Sequence, residues 1–209
     1  MEKIILVLAP HTDDGEFGCG GTVAKLISKG YRAVYIAFSA AEQSVLPEFP
    51  KDILRHEVVE ATSALGIKKE DCIVFNFSVR KFPEQRQAIL EKMVELNSQY
   101  NPEIVFLPSL NDTHQDHFVI AQEGFRAFKK TTILGYEVPW NNLDFRTSCF
   151  EVLTDQQLQI KLNALECYRS QKHRSYATGD FIRSLAITRG TQIGQKYAEV
   201  FEVIRMVYK

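Results

Sequence analysis

The sequence predicts an α/β fold: a Rossmann-like, mostly parallel sheet with helices on both faces, in three α/β/α layers. Three observations carry that expectation. The first apolar run, Lys3-Ile-Ile-Leu-Val-Leu-Ala9, is rich in β-branched residues and does not alternate with polar ones, as expected of a parallel strand buried on both faces. Short apolar runs then alternate with amphipathic stretches down the chain, the pattern of βαβ units with right-handed crossovers. Polar loops carrying histidine and aspartate follow the first and fourth of these runs.

Taken in order, strand one gives way to the turn PHTDDGEFGCGG and then to TVAKLISKG, where Val23, Leu26 and Ile27 fall on one helical face before a stop at Gly30. Ala33 to Ser39 reads as a strand, residues 51 to 65 as a helix ending at Gly66, and Cys72 to Phe77 as a third strand. A helix over residues 84 to 99 and a strand from Glu103 to Leu107 follow. Beyond the loop Ser109–Asp116 a helix runs to about Phe128, and Thr132 to Val138 makes a fifth strand. The last third is less regular: a turn at Asn141-Asn142, a short strand from Cys149 to Leu153, a helix from Gln156 to Cys167, and a terminal strand from Ala198 to Val207. No repeat, low-complexity tract or linker interrupts the chain, so one domain over residues 1–209 is expected.

Composition narrows the function. Of 209 residues, 45% are hydrophobic, and 25 basic residues against 26 acidic ones leave a net charge of −1. That balance disfavours nucleic acid or an anionic membrane as the main partner, while leaving room for a small anionic substrate met by Arg55 or Arg80. Cys19, Cys72, Cys149 and Cys167 contain no C-x-x-C pair, which disfavours a cysteine metal site or redox motif. The apolar opening Ile4–Ala9 is too short for a signal-peptide core or a membrane span, so a cytoplasmic protein is expected.

Chemistry concentrates in two segments, His11-Thr-Asp13-Asp14 and His114-Gln-Asp116-His117, which hold three of the five histidines. In a doubly wound sheet the first and fourth strands commonly flank the point where strand order reverses, so both loops face one crevice. Imidazoles and a carboxylate from the two loops suit zinc with one position left for water, and ferrous iron or cobalt share that preference. One aspartate of the Asp13/Asp14 pair then stays free as a nearby base. Against this, aspartates after strands are also ordinary turn and cap residues.

Together with Glu16 and the glycine-rich helix start, these motifs resemble the LmbE/PIG-L-like family of zinc-dependent de-N-acetylases. Arg55-His-Glu57 with Ala61 and Leu65-Gly66, Ser170-Gln171, and Gly194 leading into Tyr197-Ala-Glu199 extend the resemblance over most of the chain. It implies His11, Asp14 and His117 as metal ligands, Asp13 as general base toward metal-bound water, His114 as the imidazolium that stabilises the oxyanion, and Asp116 as the residue that orients His114. It further implies Arg55 on polar groups of the substrate and Tyr197 near the oxyanion. The chain departs from the family pattern at Gly15, at Ser39-Ala-Ala-Glu42, at Tyr168 before the Ser-Gln pair, and at Asn76-Phe-Ser-Val-Arg80.

Hydrolysis of an N-acetyl group on an amino sugar or its conjugate is therefore the leading expectation. An amidase for a thiol conjugate, or a non-catalytic sugar- or nucleotide-binding module, are the alternatives. The expected partner is a small N-acetylated sugar or glycoconjugate, and a homo-oligomer is compatible with the chain. Gly18-Cys-Gly20-Gly21 fails the dinucleotide fingerprint because Val23 stands where its third glycine belongs. Close backbone approach, with amides offered to the metal-site carboxylates, fits that stretch better. Trp140 is a candidate platform for a sugar ring, His173 sits in a basic turn, and Cys19 reads as a small buried hydrophobe.

Overall fold

The computed structural model describes residues 2–208. Seven strands, β1 (Ile4–His11), β2 (Arg32–Ser39), β3 (Cys72–Val74), β4 (Ile104–Pro108), β5 (Thr132–Tyr136), β6 (Cys149–Val152) and β7 (Ala198–Arg205), form one sheet in the order β3-β2-β1-β4-β5-β7-β6. The first five are parallel, as the alternation predicts. Strand order reverses between β1 and β4, so the loops that follow them open onto one crevice.

Helices α1 (Asp14–Ser28), α2 (Ile53–Ala64), α3 (Arg86–Tyr100), α4 (Gln115–Ala127), α5 (Asp155–Glu166) and α6 (Gly179–Thr191) complete the layers. The pleat sends alternate residues to opposite faces. Ile5, Val7 and Ala9 meet Val23 of α1 and Val58 of α2 in one core, whereas Leu6 and Leu8 meet Ile89 of α3 and Ile120 of α4 in the other. Both faces of β1 are therefore buried, which is why its sequence does not alternate.

The glycine-rich start of α1 answers a packing demand. A Cβ on Gly18 would lie 2.3 Å from the Tyr136 ring, so only glycine lets the helix approach the sheet there. The helix kinks at Cys19 (φ −144°), and the Gly21 and Thr22 N–H groups donate to the Glu199 carboxylate at 3.0 and 2.7 Å. Those amides thus serve Glu199 rather than the metal-site carboxylates expected from the sequence. Lys161 Nζ, 4% exposed as a residue, donates to Glu199 and to the Phe17 carbonyl, both at 2.6 Å. A buried cation pairs with the carboxylate that repairs the kink.

The C-terminal third departs further from expectation. Residues 179–191, for which the sequence pattern predicts no element, form α6, capped by the Thr178 hydroxyl accepting from Phe181 N–H. The final strand, β7, inserts between β5 and β6 and runs antiparallel to both. The expected strands over 72–77 and 132–138 end at Val74 and Tyr136, and Phe75 and Phe77 still donate main-chain hydrogen bonds to β2. Among the described residues no helix is long and apolar enough to cross a membrane.

Candidate active site

His11 closes β1 and Asp14 opens α1, with Asp13 as the helix cap between them. Across the crevice His114 caps α4 through Nδ1, which accepts from Asp116 N–H at 3.1 Å, and His117 lies one turn inside the helix. Asp14 Oδ2 sits 3.2 Å from His11 Nδ1 and 3.2 Å from His117 Nε2. The three ligand-type atoms all lie within 4.8 Å of one another.

The outer nitrogens of both rings are anchored. His117 Nδ1–H donates to Asp112 Oδ2 at 2.8 Å, and His11 Nε2–H donates to Asp116 Oδ2 at 2.9 Å. Each imidazole therefore turns its free lone pair toward Asp14, the carboxylate–histidine arrangement typical of metal sites. Two imidazole nitrogens and one carboxylate oxygen, converging with room on the cavity side, fit a divalent ion of zinc type held by three protein ligands. A second grouping, His11, His114 and Asp116, shares His11.

Electrostatics express the same crowding of lone pairs. Burial opposes protonation of His117, but Asp14 and Asp112 overcome it and push the ring up to about 10. Burial likewise opposes ionisation of Asp14, yet the His117 and His11 imidazoles hold it well below the usual carboxylate range. A proton fills a cage that a cation would fill instead. Beside it, burial and then the Asp14 charge push Asp13 up to about 6, with Arg174 drawing it partly back. His114 is driven down to about 4 by burial first, then by His117 and His11. That shift favours the neutral form of the ring.

These groups line a cavity of about 250 Å³ that also receives Arg80, Trp140, Arg174 and Tyr176. Trp140 stands at its wall with one face stacked on Tyr176 at 3.8 Å and 7°, so the protein already covers one of its two faces. Arg55 lies outside, in an adjoining cavity of about 210 Å³, paired with Glu42 at 2.6 Å and bonded to Asn76. Tyr197 is not among the lining residues; it is buried in an apolar cluster with Leu153, Leu158 and Ile182. His173 is exposed with Nδ1 near the Ser170 carbonyl. Cys19 is buried, and its thiol is pushed well up by burial and Glu199.

One partnership differs from expectation. Asp116 meets His114 only through its backbone N–H; its carboxylate accepts from His11 and from the Arg80 and Phe82 N–H groups. It orients His11 rather than His114 because α4 turns the side chain toward β1. Asp112, absent from the sequence reading, anchors both His117 and the His114 N–H at 2.8 Å. Its only sequence signal is an acidic residue two places before His114.

A doubly wound α/β sheet with a histidine–aspartate cluster at its switch point defines the class: an α/β protein whose open crevice carries side chains that could hold a metal ion. The model of the family PIG-L, GlcNAc-PI de-N-acetylase, matches residues 6–128, and the chain belongs to that family. The protein YaiS of Escherichia coli K12, named an uncharacterized deacetylase, is 29% identical over 175 residues, covering 80% of this chain and 91% of its own. The N,N'-diacetylchitobiose deacetylase of Pyrococcus horikoshii superposes with a TM-score of 0.81 at 23% identity, covering 97% of this chain and 84% of that one. GalB of Pseudomonas putida KT2440, a 4-carboxy-2-hydroxymuconate hydratase, superposes equally well (TM-score 0.81, 20% identity, 99% and 98% covered). The fold alone therefore does not choose the reaction.

Proposed function

We propose that the protein is a zinc-dependent N-deacetylase that hydrolyses the acetamide of an N-acetylated amino sugar or its conjugate. The observation that carries this reading is the convergence of His11 Nδ1, Asp14 Oδ2 and His117 Nε2 beside the Asp13 carboxyl. His11, Asp14 and His117 would hold the metal. A divalent ion bound there polarises a carbonyl and makes water more acidic.

Asp13 takes the proton of the attacking water as its oxygen bonds to the acetyl carbon. With its carboxyl pushed up to about 6, it is poised to accept that proton near neutral pH and to return it. Neutral His114, its Nδ1 engaged by the Asp116 N–H, presents Nε2–H to the oxygen on which charge develops. The C–N bond then breaks, the amine leaves with the proton carried by Asp13, and acetate remains. Trp140 serves as one wall for the sugar ring. Arg55 and Tyr197, which do not line the cavity, act through neighbouring loops and core packing.

Residues 1–209 are taken as a single domain, which the one continuous sheet supports, in a protein of the cytoplasm. Metal analysis together with acetate release from a panel of N-acetyl sugars and N-acyl thiol conjugates tests it. About one divalent ion per chain and acetate from the sugars are expected. Turnover of thiol conjugates alone redirects the substrate, and ligand binding that survives chelation without turnover supports a binding module instead.

A further inference from the structure

Three arginines surround the crevice, and their partners divide them. Arg55 is neutralised by Glu42 in the adjoining cavity. Arg80 and Arg174 line the cavity of the His/Asp cage itself, and neither forms an ion pair with a carboxylate among the described residues.

The protein holds the Arg174 side chain and the Arg80 backbone in place, and the Arg80 side chain is exposed. Arg174 is the end of a buried relay: Glu57 accepts from the Ser170 N–H and hydroxyl, Gln171 accepts from Arg174 Nε at 2.6 Å, and Arg174 Nη1 donates to Tyr176 at 2.7 Å. Glu57 and Gln171 are 0% and 5% exposed. The remaining guanidinium N–H groups have no protein acceptor among the described residues. Arg80 occupies left-handed backbone, φ 66°, a strained state for a non-glycine residue that survives only where the surroundings enforce it. Asp116 enforces it by accepting from the N–H groups of Arg80 at 2.6 Å and Phe82 at 3.2 Å. The Arg80 side chain itself makes no hydrogen bond or ion pair among the described residues. The carboxylate that orients His11 also fixes the turn that sets Arg80 at the cavity.

We infer that the substrate carries an oxyanion group, phosphate or carboxylate, near its acetamide, and that Arg80 and Arg174 bind that group. The inference rests on the deacetylase reading. Guanidinium groups meet planar or tetrahedral oxyanions through paired N–H donors, and two of them in one cavity exclude a neutral substrate as the best one.

The test compares kcat/KM for acetate release from N-acetylglucosamine, N-acetylglucosamine 1-phosphate and N-acetylglucosaminuronic acid, in the metal-loaded wild type and in Arg80→Gln and Arg174→Gln. At least about a tenfold preference for one anionic substrate over the neutral sugar is expected, and the ratio should fall about tenfold in either variant. Any influence of Arg174 on Asp13 acts on both substrates and cancels in that ratio. The better anionic arm identifies phosphate or carboxylate. Equal or better use of the neutral sugar, or a ratio that the variants leave unchanged, overturns the inference. Absence of acetate from all three overturns the deacetylase reading instead. Calorimetric binding of the sugar phosphate and of the uronic acid to wild type and to the double variant then decides the anion site by itself: loss of binding in the double variant upholds it, and unchanged or absent binding of both overturns it.

Discussion

Replacing Asp112 by Asn removes one charge and one acceptor from a site where both oxygens are used. Oδ1 accepts from the His114 N–H and Oδ2 from His117 Nδ1–H, each at 2.8 Å. An amide offers a single oxygen. If it keeps the His117 bond, its NH2 faces the His114 N–H and a buried donor goes unpaired, at about 1–3 kcal/mol. If it keeps the His114 bond, its NH2 favours the His117 tautomer with the proton on Nε2, the nitrogen that faces Asp14. Either outcome weakens the metal cage. Loss of such a supporting carboxylate commonly weakens metal affinity roughly 10–100-fold, or about 1.4–2.7 kcal/mol at 1.36 kcal/mol per tenfold. Competition for zinc against a chromophoric chelator at pH 7.5, wild type against Asp112→Asn, reads this directly, with a melting curve of the metal-free proteins as a fold control. A zinc Kd within twofold of wild type would refute the claim that Asp112 sets the His117 lone pair.

Asp13→Asn should retain the metal while kcat drops by about 10²–10⁴-fold, the usual share of a general base; full turnover removes Asp13 from the mechanism. Because the base works ionised and its carboxyl is pushed up to about 6, kcat/KM of the wild type should fall as pH drops through that value or somewhat below it, since a bound cation draws it down. A profile flat from pH 7 to 4.5 contradicts this. Glu16 is pushed up to about 8 by burial, against the hydrogen bonds from Tyr35 and Tyr168 that favour its charge. The folded state thus holds a proton that the unfolded chain releases near 4.5, and stability is lost as pH rises from there to about 8. Melting temperature should fall over that window more in wild type than in Glu16→Gln, and parallel curves sink the idea. Lys161→Ala strands Glu199 beneath α1, at a cost of about 3–5 kcal/mol. That corresponds to a Tm lower by roughly 10 °C in a chain of this size; a Tm within a few degrees of wild type argues that the pair is dispensable.

The central sheet was legible because its signals are local. A strand buried on both faces cannot alternate, and β1 does not; helices α1 to α5 show apolar spacing on one side. Adjacent β1 and β4 bring the two histidine–aspartate loops together, a consequence of parallel topology, whereas the choice of His11, Asp14 and His117 within them came from the family resemblance. Helix α6 was not legible, since its inward face is built of residues as small as Ala186 and Gly190. A Cβ on Gly190 would lie 2.7 Å from the Gln195 carbonyl, so close packing and not apolar bulk defines that side. Insertion of β7 between β5 and β6 depends on pairing across 65 to 72 residues to β5 and 46 to 52 to β6, and leaves no local pattern. The carboxylate partners were misjudged for a related reason. Asp112 and Asp116 both stand two residues from His114, but α4 aims the Asp116 side chain at His11, while Asp112 reaches His117 from the preceding loop.

If the His/Asp cage holds a catalytic divalent ion that serves amide hydrolysis, metal and activity must rise and fall together. Metal content per chain, measured with acetate release on the same preparation of wild type and His117→Ala, tests it most directly. About one zinc ion per wild-type chain is expected, little in His117→Ala, and acetate release that disappears on chelation and returns with zinc. Acetate release at an undiminished rate from metal-free wild type, or a full complement of metal in His117→Ala, would contradict it.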